Sequence, residues 1–283
     1  MAVAAATAAA QNKLTAFTDG GCTQNGKPGA CASYSAIIYK GDIAIHTVGD
    51  LVAGTVYRLD CAAPDRAAPD RAPNCAAPDR AAPDRAAPNC AAPNCAATEY
   101  RLSCAATEYR LSCGPTAVAA SNNRGELLGI IHGLRVMIEY GRSHPDVAEY
   151  ELVTDSRICA MTLLSWLPAR RAAGTVNKLK NLDLIEIADR LLTDLRALGP
   201  TTITTVHSHV RVPPTEVRAR FLWQGNRVAD ELASSVLASA SASASAGASA
   251  SAGASASASA SAGASASASA SAGASAGAAD TCV

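Results

Sequence analysis

The sequence has few aromatic residues and no long apolar run. Aromatic side chains make up 4% of the 283 residues, although hydrophobic residues reach 49% because alanine is abundant in repeated segments. No stretch has the length and apolarity of a membrane-spanning helix, so we expect no membrane contact. The hydrophobic core must therefore come from a smaller part of the chain than the composition indicates, and we expect one modest domain.

The charge balance and the cysteines argue against a strongly basic nucleic-acid binder and against a zinc protein. Basic and acidic residues number 24 each, so the chain lacks the overall positive charge of many nucleic-acid binders. Most of the ten cysteines lie inside repeats, and the absence of a paired CxxC spacing argues against a zinc site. The start, MAVAAATAAAQNK, lacks the features of a signal peptide. We expect an intracellular protein, in the cytoplasm or nucleus.

Low-complexity segments divide the chain. Residues 1–13 form an alanine-rich extension, residues 14–237 contain the predicted domain, and residues 238–283 alternate Ala and Ser with occasional Gly, which predicts a disordered tail. A repeat insert at about 57–113 interrupts the domain with AAPDR and AAPNC pentads between YRL[DS]C copies. Because proline blocks helices and central strands, we expect an exposed, extended or disordered loop, although the YRL[DS]C copies could compete for one sheet edge.

Outside these segments, strand and helix patterns alternate. β-branched runs bounded by turn residues predict strands, and leucine and isoleucine at helical spacing predict helices. The predicted elements are strands at Leu14–Asp19, Ala32–Tyr39 and Ile43–Val52, a helix at Asn123–Tyr140, a strand at Tyr150–Thr154, helices at Ser156–Trp166 and Leu182–Leu198, a strand at Thr202–Val206, and a helix at Arg227–Leu237. This order predicts an α/β domain with a mixed five-stranded sheet covered by helices.

Four acidic residues, each within a short distinctive motif, are the main candidates for chemistry. Asp19 and Asp155 end apolar runs that predict strands, in TAFTDGG and ELVTDS. Glu126 and Asp230 lie in SNNRGELLG and GNRVADELA, each in the first turn of a predicted helix. Each acid also has a structural alternative. Asp19 could simply begin a turn, and Glu126 could form a capping box with Asn123. Asp155 could cap the next helix, and Asp230 could interact favourably with the helix dipole.

Together, the four acids indicate a metal site. Carboxylates without neighbouring His or Cys ligands favour hard cations, so we expect two Mg²⁺ ions, with Mn²⁺ as the alternative, rather than zinc. Two divalent ions about 4 Å apart activate water and stabilise the charge that develops during phosphodiester hydrolysis. The pattern therefore predicts a two-metal nuclease.

Six motifs, in this order, resemble type I ribonuclease H: TDGGCTQNGKPGA, SNNRGEL, VTDS, KNLDL, HSH and GNRVADELA. The resemblance covers the chain outside the repeats, the tail and the extreme N-terminus. It implies a mixed five-stranded sheet with helices on both faces. It also implies two-metal-ion hydrolysis of the RNA strand of RNA/DNA hybrids by an endoribonuclease, which leaves 5′-phosphate and 3′-hydroxyl ends.

The resemblance also assigns metal ligands. It implies that Asp19 bridges both ions. Glu126 and Asp155 would complete the site of one ion, and Asp230 would complete the site of the other. A histidine on a mobile loop before the last acid assists metal exchange or product release in the family; His209 matches it best, and His207 is the alternative.

Four further residues match substrate-binding positions of the family. Asn25, Asn122 and Asn123 match positions that contact the substrate backbone, and the turn at Cys22 would lie beside an RNA 2′-hydroxyl, the group that distinguishes RNA from DNA. The chain departs from the family in a longer turn, TQNGKPGA, and in a basic protrusion that is shortened to ARRAAGTVNKLK. We therefore expect weak affinity for the hybrid.

Two other functions stay open. One is a related nuclease or resolvase that acts on structured DNA, and the other is a non-catalytic hybrid-binding protein, against which the presence of all four acids argues. The expected partner is an RNA/DNA hybrid. The sequence indicates no protein partner and no dimer interface, so we expect a monomer.

Overall fold

Three strands open the domain and form an antiparallel meander. They are β1 at Lys13–Thr23, β2 at Cys31–Lys40 and β3 at Ile43–Leu51. The computed structural model describes residues 12–27, 29–62, 100–102, 108–208 and 210–243. Most of the predicted N-terminal extension, the middle of the repeat insert, His209 and most of the predicted tail therefore lie outside the described residues.

Two further strands complete the main sheet. Strand β7 at Glu149–Thr154 pairs parallel with β1, and β8 at Thr201–Thr205 pairs parallel with β7. The resulting order is β3-β2-β1-β7-β8. The predicted mixed five-stranded sheet is confirmed, and β1 lies at its centre.

Helices pack on both faces of this sheet. Helix α1 spans Asn122–Ser143. Helix α2 at Arg157–Met161 continues through a π-turn at Thr162–Trp166 into α3 at Leu167–Ala172, and α4 spans Leu182–Arg196 after a 3₁₀ turn at Val176–Lys178. Helix α5 covers residues 217–243. Among the described residues, no helix combines the length and the apolarity that crossing a membrane requires.

Alternation along the strands separates two hydrophobic clusters. Leu14 and Ala16 of β1 belong to the larger cluster, which contains buried residues of α1 and α4. Phe17 belongs to the smaller cluster, with Val153 of β7 and Ala229 of α5. Because neighbouring side chains of a strand point to opposite faces, α1 and α4 cover one face and α5 covers the other.

The ends of the repeat insert form a second sheet, which differs from the predicted loop. Strands β4 at Thr55–Ala62, β5 at Tyr100–Leu102 and β6 at Glu108–Ala117 pair in the order β4-β6-β5. Each strand contains one YRL copy, so the copies pair with one another and do not compete for an edge of the main sheet. Proline does not prevent strands at these ends of the insert, because the proline-containing pentads lie between the YRL copies.

Helix α5 also differs from its prediction. It begins at residue 217 rather than at Arg227, so Asp230 lies in its interior and the predicted helix-dipole contact is wrong. The Glu216 carboxylate accepts hydrogen bonds from the backbone N–H groups of Arg218 and Ala219, which caps the helix. Gly225 does not start the helix; a methyl group there would overlap the Phe17 ring, so this glycine allows close packing on the sheet.

The chain divides into two units, Met1–Leu237 and Ala238–Val283. In the second unit, residues 238–243 are described, and they are helical. The predicted disorder of the tail therefore does not hold for its first six residues, where alanine favours the helical conformation.

Candidate active site

Asp19 lies inside the central strand rather than at its end. Strand β1 continues through two glycines to Thr23, and Asp19 pairs with Ser35 of β2. The carboxylate is buried, and its Oδ1 accepts a hydrogen bond from the Gly20 backbone N–H at 2.6 Å. This position fixes one carboxylate at the middle of the sheet.

Two glycines allow Glu126 to approach this position. A methyl group on Gly20 would overlap the backbone nitrogen of Glu126, and one on Gly125 would overlap the carbonyl oxygen of Ser33. The first turn of α1 therefore rests directly on the backbones of β1 and β2. This contact requires glycine at both positions and brings Glu126 onto the sheet beside Asp19.

The surroundings of Glu126 are not those of a capping residue. Ser121 occupies the N-cap of α1 and its side chain makes no capping hydrogen bond, so the capping box with Asn123 is not formed. The Asn122 side chain donates a hydrogen bond to Oε1 of Glu126 at 3.3 Å. The other carboxylate oxygen, Oε2, is buried and has no hydrogen-bond partner in the described part of the chain.

Asp155 directly follows strand β7, as predicted. It is not the cap of the next helix, because Ser156 takes the N-cap position and its hydroxyl accepts from the Cys159 backbone N–H. Instead, burial raises the pKa of the Asp155 carboxyl group, and hydrogen bonds with the side chains of Ser208 and Asn226 oppose that rise. The loop after β8 and helix α5 therefore both hold this carboxylate.

The fold brings three of the four acids together. Among the described residues, Asp19, Glu126 and Asp155 each offer a carboxylate oxygen, and these atoms lie within 4.8 Å of one another. Asp230 is outside this group, but its charge raises the pKa of each of the three carboxyl groups. The arrangement is therefore a compact triad with a fourth acid nearby.

Burial and the nearby negative charges raise the pKa of all three carboxyl groups of the triad. The pKa of Asp19 rises to about 7, mainly through burial and also through the charges of Asp155 and Asp230, against the hydrogen bond from the Gly20 N–H. Burial, followed by the charges of Asp19 and Asp155, raises the pKa of Glu126 well above its ordinary value. Burial also raises the pKa of Asp155, against the hydrogen bonds that it accepts. A cation between these groups would offset their mutual repulsion.

The donor set fits a hard divalent cation. All three groups of the triad are carboxylates, which suit Mg²⁺ or Mn²⁺ better than zinc. The buried Oε2 of Glu126 needs a positive or hydrogen-bonding partner, because burying a charged oxygen without one is costly. A cation at the triad would provide that partner.

The predicted substrate-binding residues lie around the start of α1. The side-chain oxygen of Asn25 accepts a hydrogen bond from the Asn122 backbone N–H at 3.3 Å, which joins the turn after β1 to the helix that carries Glu126. Asn123 is partly exposed in the same turn of the helix, and Cys22 is partly exposed near the end of β1. Asn122 thus contacts the triad at Glu126 and Asn25 contacts Asn122, while the roles of Asn123 and Cys22 stay predictions.

The loop after β8 carries the histidine candidates. His209 lies outside the described residues, and His207 is exposed. Ser208, which lies between them, forms its hydrogen bond with Asp155 and places this part of the loop at the triad. The structure therefore leaves the choice of His209 over His207 as a prediction.

Sequence reasoning missed Ser208 and Asn226 as partners of Asp155. Asn226 precedes Asp230 by four residues, so the two share one face of a helix, and this spacing was a usable signal. No comparable signal marks Ser208, because its contact with Asp155 depends on how the loop folds back over β7.

No protein-family model matches the sequence, and no curated protein matches it. Among solved structures, the chain is similar to RNase H1 of the halophilic archaeon Halobacterium salinarum NRC-1, with 17% identity, a TM-score of 0.39, and coverage of 80% of this chain and 98% of that chain.

Two other solved structures show similar values. The RNase H domain of prototype foamy virus is 13% identical, with a TM-score of 0.43 and coverage of 79% of this chain and 93% of that chain. LC9-RNase H1, a type 1 RNase H with the type 2 active-site motif, is 15% identical, with a TM-score of 0.38. The match covers 79% of this chain and 71% of that chain. Because these TM-scores are low, the fold assignment rests on the sheet order and on the helices of both faces.

Proposed function

We propose that this protein is an endoribonuclease similar to type I ribonuclease H. It would hydrolyse the RNA strand of RNA/DNA hybrids and leave 5′-phosphate and 3′-hydroxyl ends. The observation that carries the proposal is the triad of Asp19, Glu126 and Asp155, in which Asp19 and Glu126 are buried, with Asp230 nearby. The order of the sequence motifs supports the choice of substrate.

The four acids would hold the divalent cations, which we propose to be two Mg²⁺ ions, with Mn²⁺ as the alternative. When bound, such ions supply Lewis-acid activation of water and of the scissile phosphate. The protein's own groups keep the ligands in place. The Gly20 N–H orients Asp19, the Asn122 side chain orients Glu126, and Ser208 and Asn226 orient Asp155.

Contacts with the hybrid would begin at the edge of the triad. The hydrogen bond between Asn25 and Asn122 places two amide side chains next to Glu126, where they would contact the sugar-phosphate backbone of the RNA strand. Asn123 and Cys22 extend this surface, with Cys22 proposed beside a 2′-hydroxyl. His209, or His207 in its place, would assist metal exchange or product release from the neighbouring loop.

A second candidate surface for the hybrid lies at the end of the π-turn. Trp166 is exposed and lines a cavity of about 370 Å³ with Ala169, Arg170 and Leu179. An exposed indole beside a guanidinium suits the sugar and phosphate of a nucleic-acid strand, because aromatic rings stack on apolar faces while arginine contacts phosphate. We propose that the DNA strand of the hybrid runs over this surface.

Single-turnover cleavage of three labelled substrates tests the proposal. The full-length protein, with Mg²⁺, is given an RNA/DNA hybrid, a DNA duplex and a four-way DNA junction of matched sequence. We expect cuts in the RNA strand of the hybrid, with 5′-phosphate ends on the fragments. Preferential cutting of the junction would replace the proposal with the structured-DNA nuclease, and tight hybrid binding without cutting would replace it with the non-catalytic binding protein.

A further inference from the structure

Two buried serines of β2 attach helix α5 to the sheet. The Ser33 hydroxyl donates a hydrogen bond to the carbonyl oxygen of Ala233 at 2.8 Å, and the Ser35 hydroxyl donates one to the carbonyl oxygen of Ala229 at 2.8 Å. Both serines are 0% exposed. Ala229 and Ala233 are also buried, and their small side chains let the helix lie close to the strand.

The spacing of the two bonds matches on both elements. Ser33 and Ser35 are two residues apart on one face of a strand, a distance of about 6.7 Å. Ala229 and Ala233 are one helical turn apart, a distance of about 6 Å along the axis. Two attachment points at this spacing fix both the position of α5 along the strand and its rotation about its own axis.

These hydroxyls are not needed to satisfy the helix. Within α5, carbonyl oxygens accept backbone hydrogen bonds from the following turn, and a carbonyl oxygen has a second lone pair for another donor. The serine bonds therefore add orientation to a helix that is already formed. Arg218, which pairs with Glu151, and Gly225, which packs against Phe17, anchor earlier turns of α5. The serines act on the turns around Asp230.

We propose that Ser33 and Ser35 are positioning residues that set the place of Asp230 relative to the triad. Asp230 directly follows Ala229, and Ser35 is the cross-strand partner of Asp19. The Ser35 hydrogen bond therefore connects the residue opposite Asp19 on the neighbouring strand with Ala229, the residue before Asp230. The inference rests on the proposed function, in which Asp230 is a metal ligand, and it adds the residues that hold this ligand in place.

The test measures Mn²⁺ binding to the full-length protein by isothermal titration calorimetry. The double variant Ser33→Ala, Ser35→Ala should bind Mn²⁺ about tenfold more weakly, in the range that loss of groups behind a metal ligand produces. Thr162→Val is the matched control. It removes a buried hydroxyl that donates to the Ile158 carbonyl at 2.7 Å within its own helix, and it should leave the affinity unchanged.

A double-mutant cycle separates positioning from a general loss of stability. If the serines act through Asp230, then Ser33→Ala, Ser35→Ala should not weaken Mn²⁺ binding further in the Asp230→Asn background. An equal loss in both backgrounds would overturn the inference. If the double variant does not fold by circular dichroism, the two single variants carry the same comparison, each with one bond removed.

Hydrogen exchange gives a readout that does not depend on metal. The amides of residues 226–237 should exchange faster in the double variant than in the unaltered protein or in Thr162→Val; unchanged exchange would overturn the inference. If the unaltered protein binds Mn²⁺ and the double variant binds it as tightly, the inference fails while the proposed function stands. If the unaltered protein binds no Mn²⁺ and cuts no hybrid, the proposed function fails, and the role assigned to the serines fails with it.

Discussion

The two sheets of this protein are assembled from different kinds of sequence. The strands of the five-stranded sheet differ from one another, and helices meet them through particular small residues, such as Gly125 and Ala229. The strands of the three-stranded sheet are copies of one YRL motif, and β4 and β6 pair with Leu59 opposite Leu111. All four acids of the candidate active site lie in the first sheet or its helices, or directly follow one of its strands.

This difference shows what the site requires. A repeated strand can pair with its own copies whenever they are close, because antiparallel pairing of copies places similar side chains together. Acids on β1, α1, β7 and α5 converge only if each element has its own fixed position. The two regions meet where Tyr57 and Leu111 enter the larger hydrophobic cluster. They also meet where the Arg124–Asp183 ion pair binds the Thr55 carbonyl oxygen and the Tyr57 N–H of β4. Changes in the two regions should therefore differ in their effects on activity.

The largest effect is expected from Asp19→Asn. The substitution preserves shape but removes the charge at the centre of the triad, so cleavage of the hybrid should fall by at least about a thousandfold, a barrier increase of about 4 kcal/mol. Hybrid binding should persist, because it depends mainly on backbone contacts. Single-turnover cleavage and fluorescence anisotropy measure the two quantities. Asp42→Asn, in the exposed turn before β3, is the control, and equal activity of the two variants would refute the site assignment.

The next effect concerns the junction between the regions. The Arg124 guanidinium is 1% exposed and binds both carboxylate oxygens of Asp183, at 3.0 and 2.8 Å, as well as the Thr55 carbonyl oxygen. Arg124→Met leaves Asp183 without its charged partner and should lower the free energy of unfolding by about 3–5 kcal/mol. The measurement is urea denaturation.

An exposed ion pair provides the control for this prediction. Arg171 is 49% exposed and pairs with Asp189 at 2.6 Å. Arg171→Met should cost at most about 1 kcal/mol, because solvent screens such a pair. Similar losses for the two arginine variants would show that the junction does not hold the regions together.

A smaller effect is expected within helix α1. Gly125→Ala would place a methyl group on the Ser33 carbonyl oxygen and should displace Glu126, with a loss of about 1–3 kcal/mol of stability and a loss of cleavage. Gly133→Ala meets the Thr18 methyl group at 3.0 Å, a side-chain contact that can adjust. In thermal denaturation and cleavage assays, Gly133→Ala should lose less stability and less activity than Gly125→Ala. The reverse order would contradict the claim that α1 needs glycine at position 125 to approach β2.

The smallest effect is expected from shortening the insert. Ala62 pairs with Glu108, so an Asn-Gly turn can replace residues 63–107 and join β4 to β6 directly. Activity should stay within about tenfold, or about 1.4 kcal/mol of barrier. Removing residues 60–112 instead would also delete the buried Leu111 and should reduce stability. A large loss of activity from the shorter deletion would mean that the insert contributes to the site.

Much of the fold followed from local pattern. Apolar runs predicted the five strands, of which β1, β2 and β7 are buried on both faces, and helical spacing predicted most helices. The predicted start of α5 was wrong, because Gly225 suggests a helix boundary in the sequence but allows close packing against Phe17 in the structure. The prediction of a loop at the ends of the insert was wrong as well, because the pairing of the YRL copies depends on which distant segments meet.

The site was predictable in its acids but not in its supports. All four acids were candidates from their motifs, and the fold places three of them within 4.8 Å. The hydrogen bonds of Ser208 and Asn226 with Asp155, and those of Ser33 and Ser35 with α5, join residues far apart in sequence. Such pairs carry no periodic signal, so they emerge only from the three-dimensional arrangement. The metal-binding and substrate roles of the acids stay predictions.

The most direct test is cleavage of an end-labelled RNA/DNA hybrid by the full-length protein, with Mg²⁺ and then with a chelator in excess. We expect that the RNA strand is cut when Mg²⁺ is present, that cutting stops with the chelator, and that Mg²⁺ added back restores it. Unchanged cutting in the chelator, or an intact RNA strand when Mg²⁺ and the hybrid are both bound, would contradict the proposed metal-dependent cleavage.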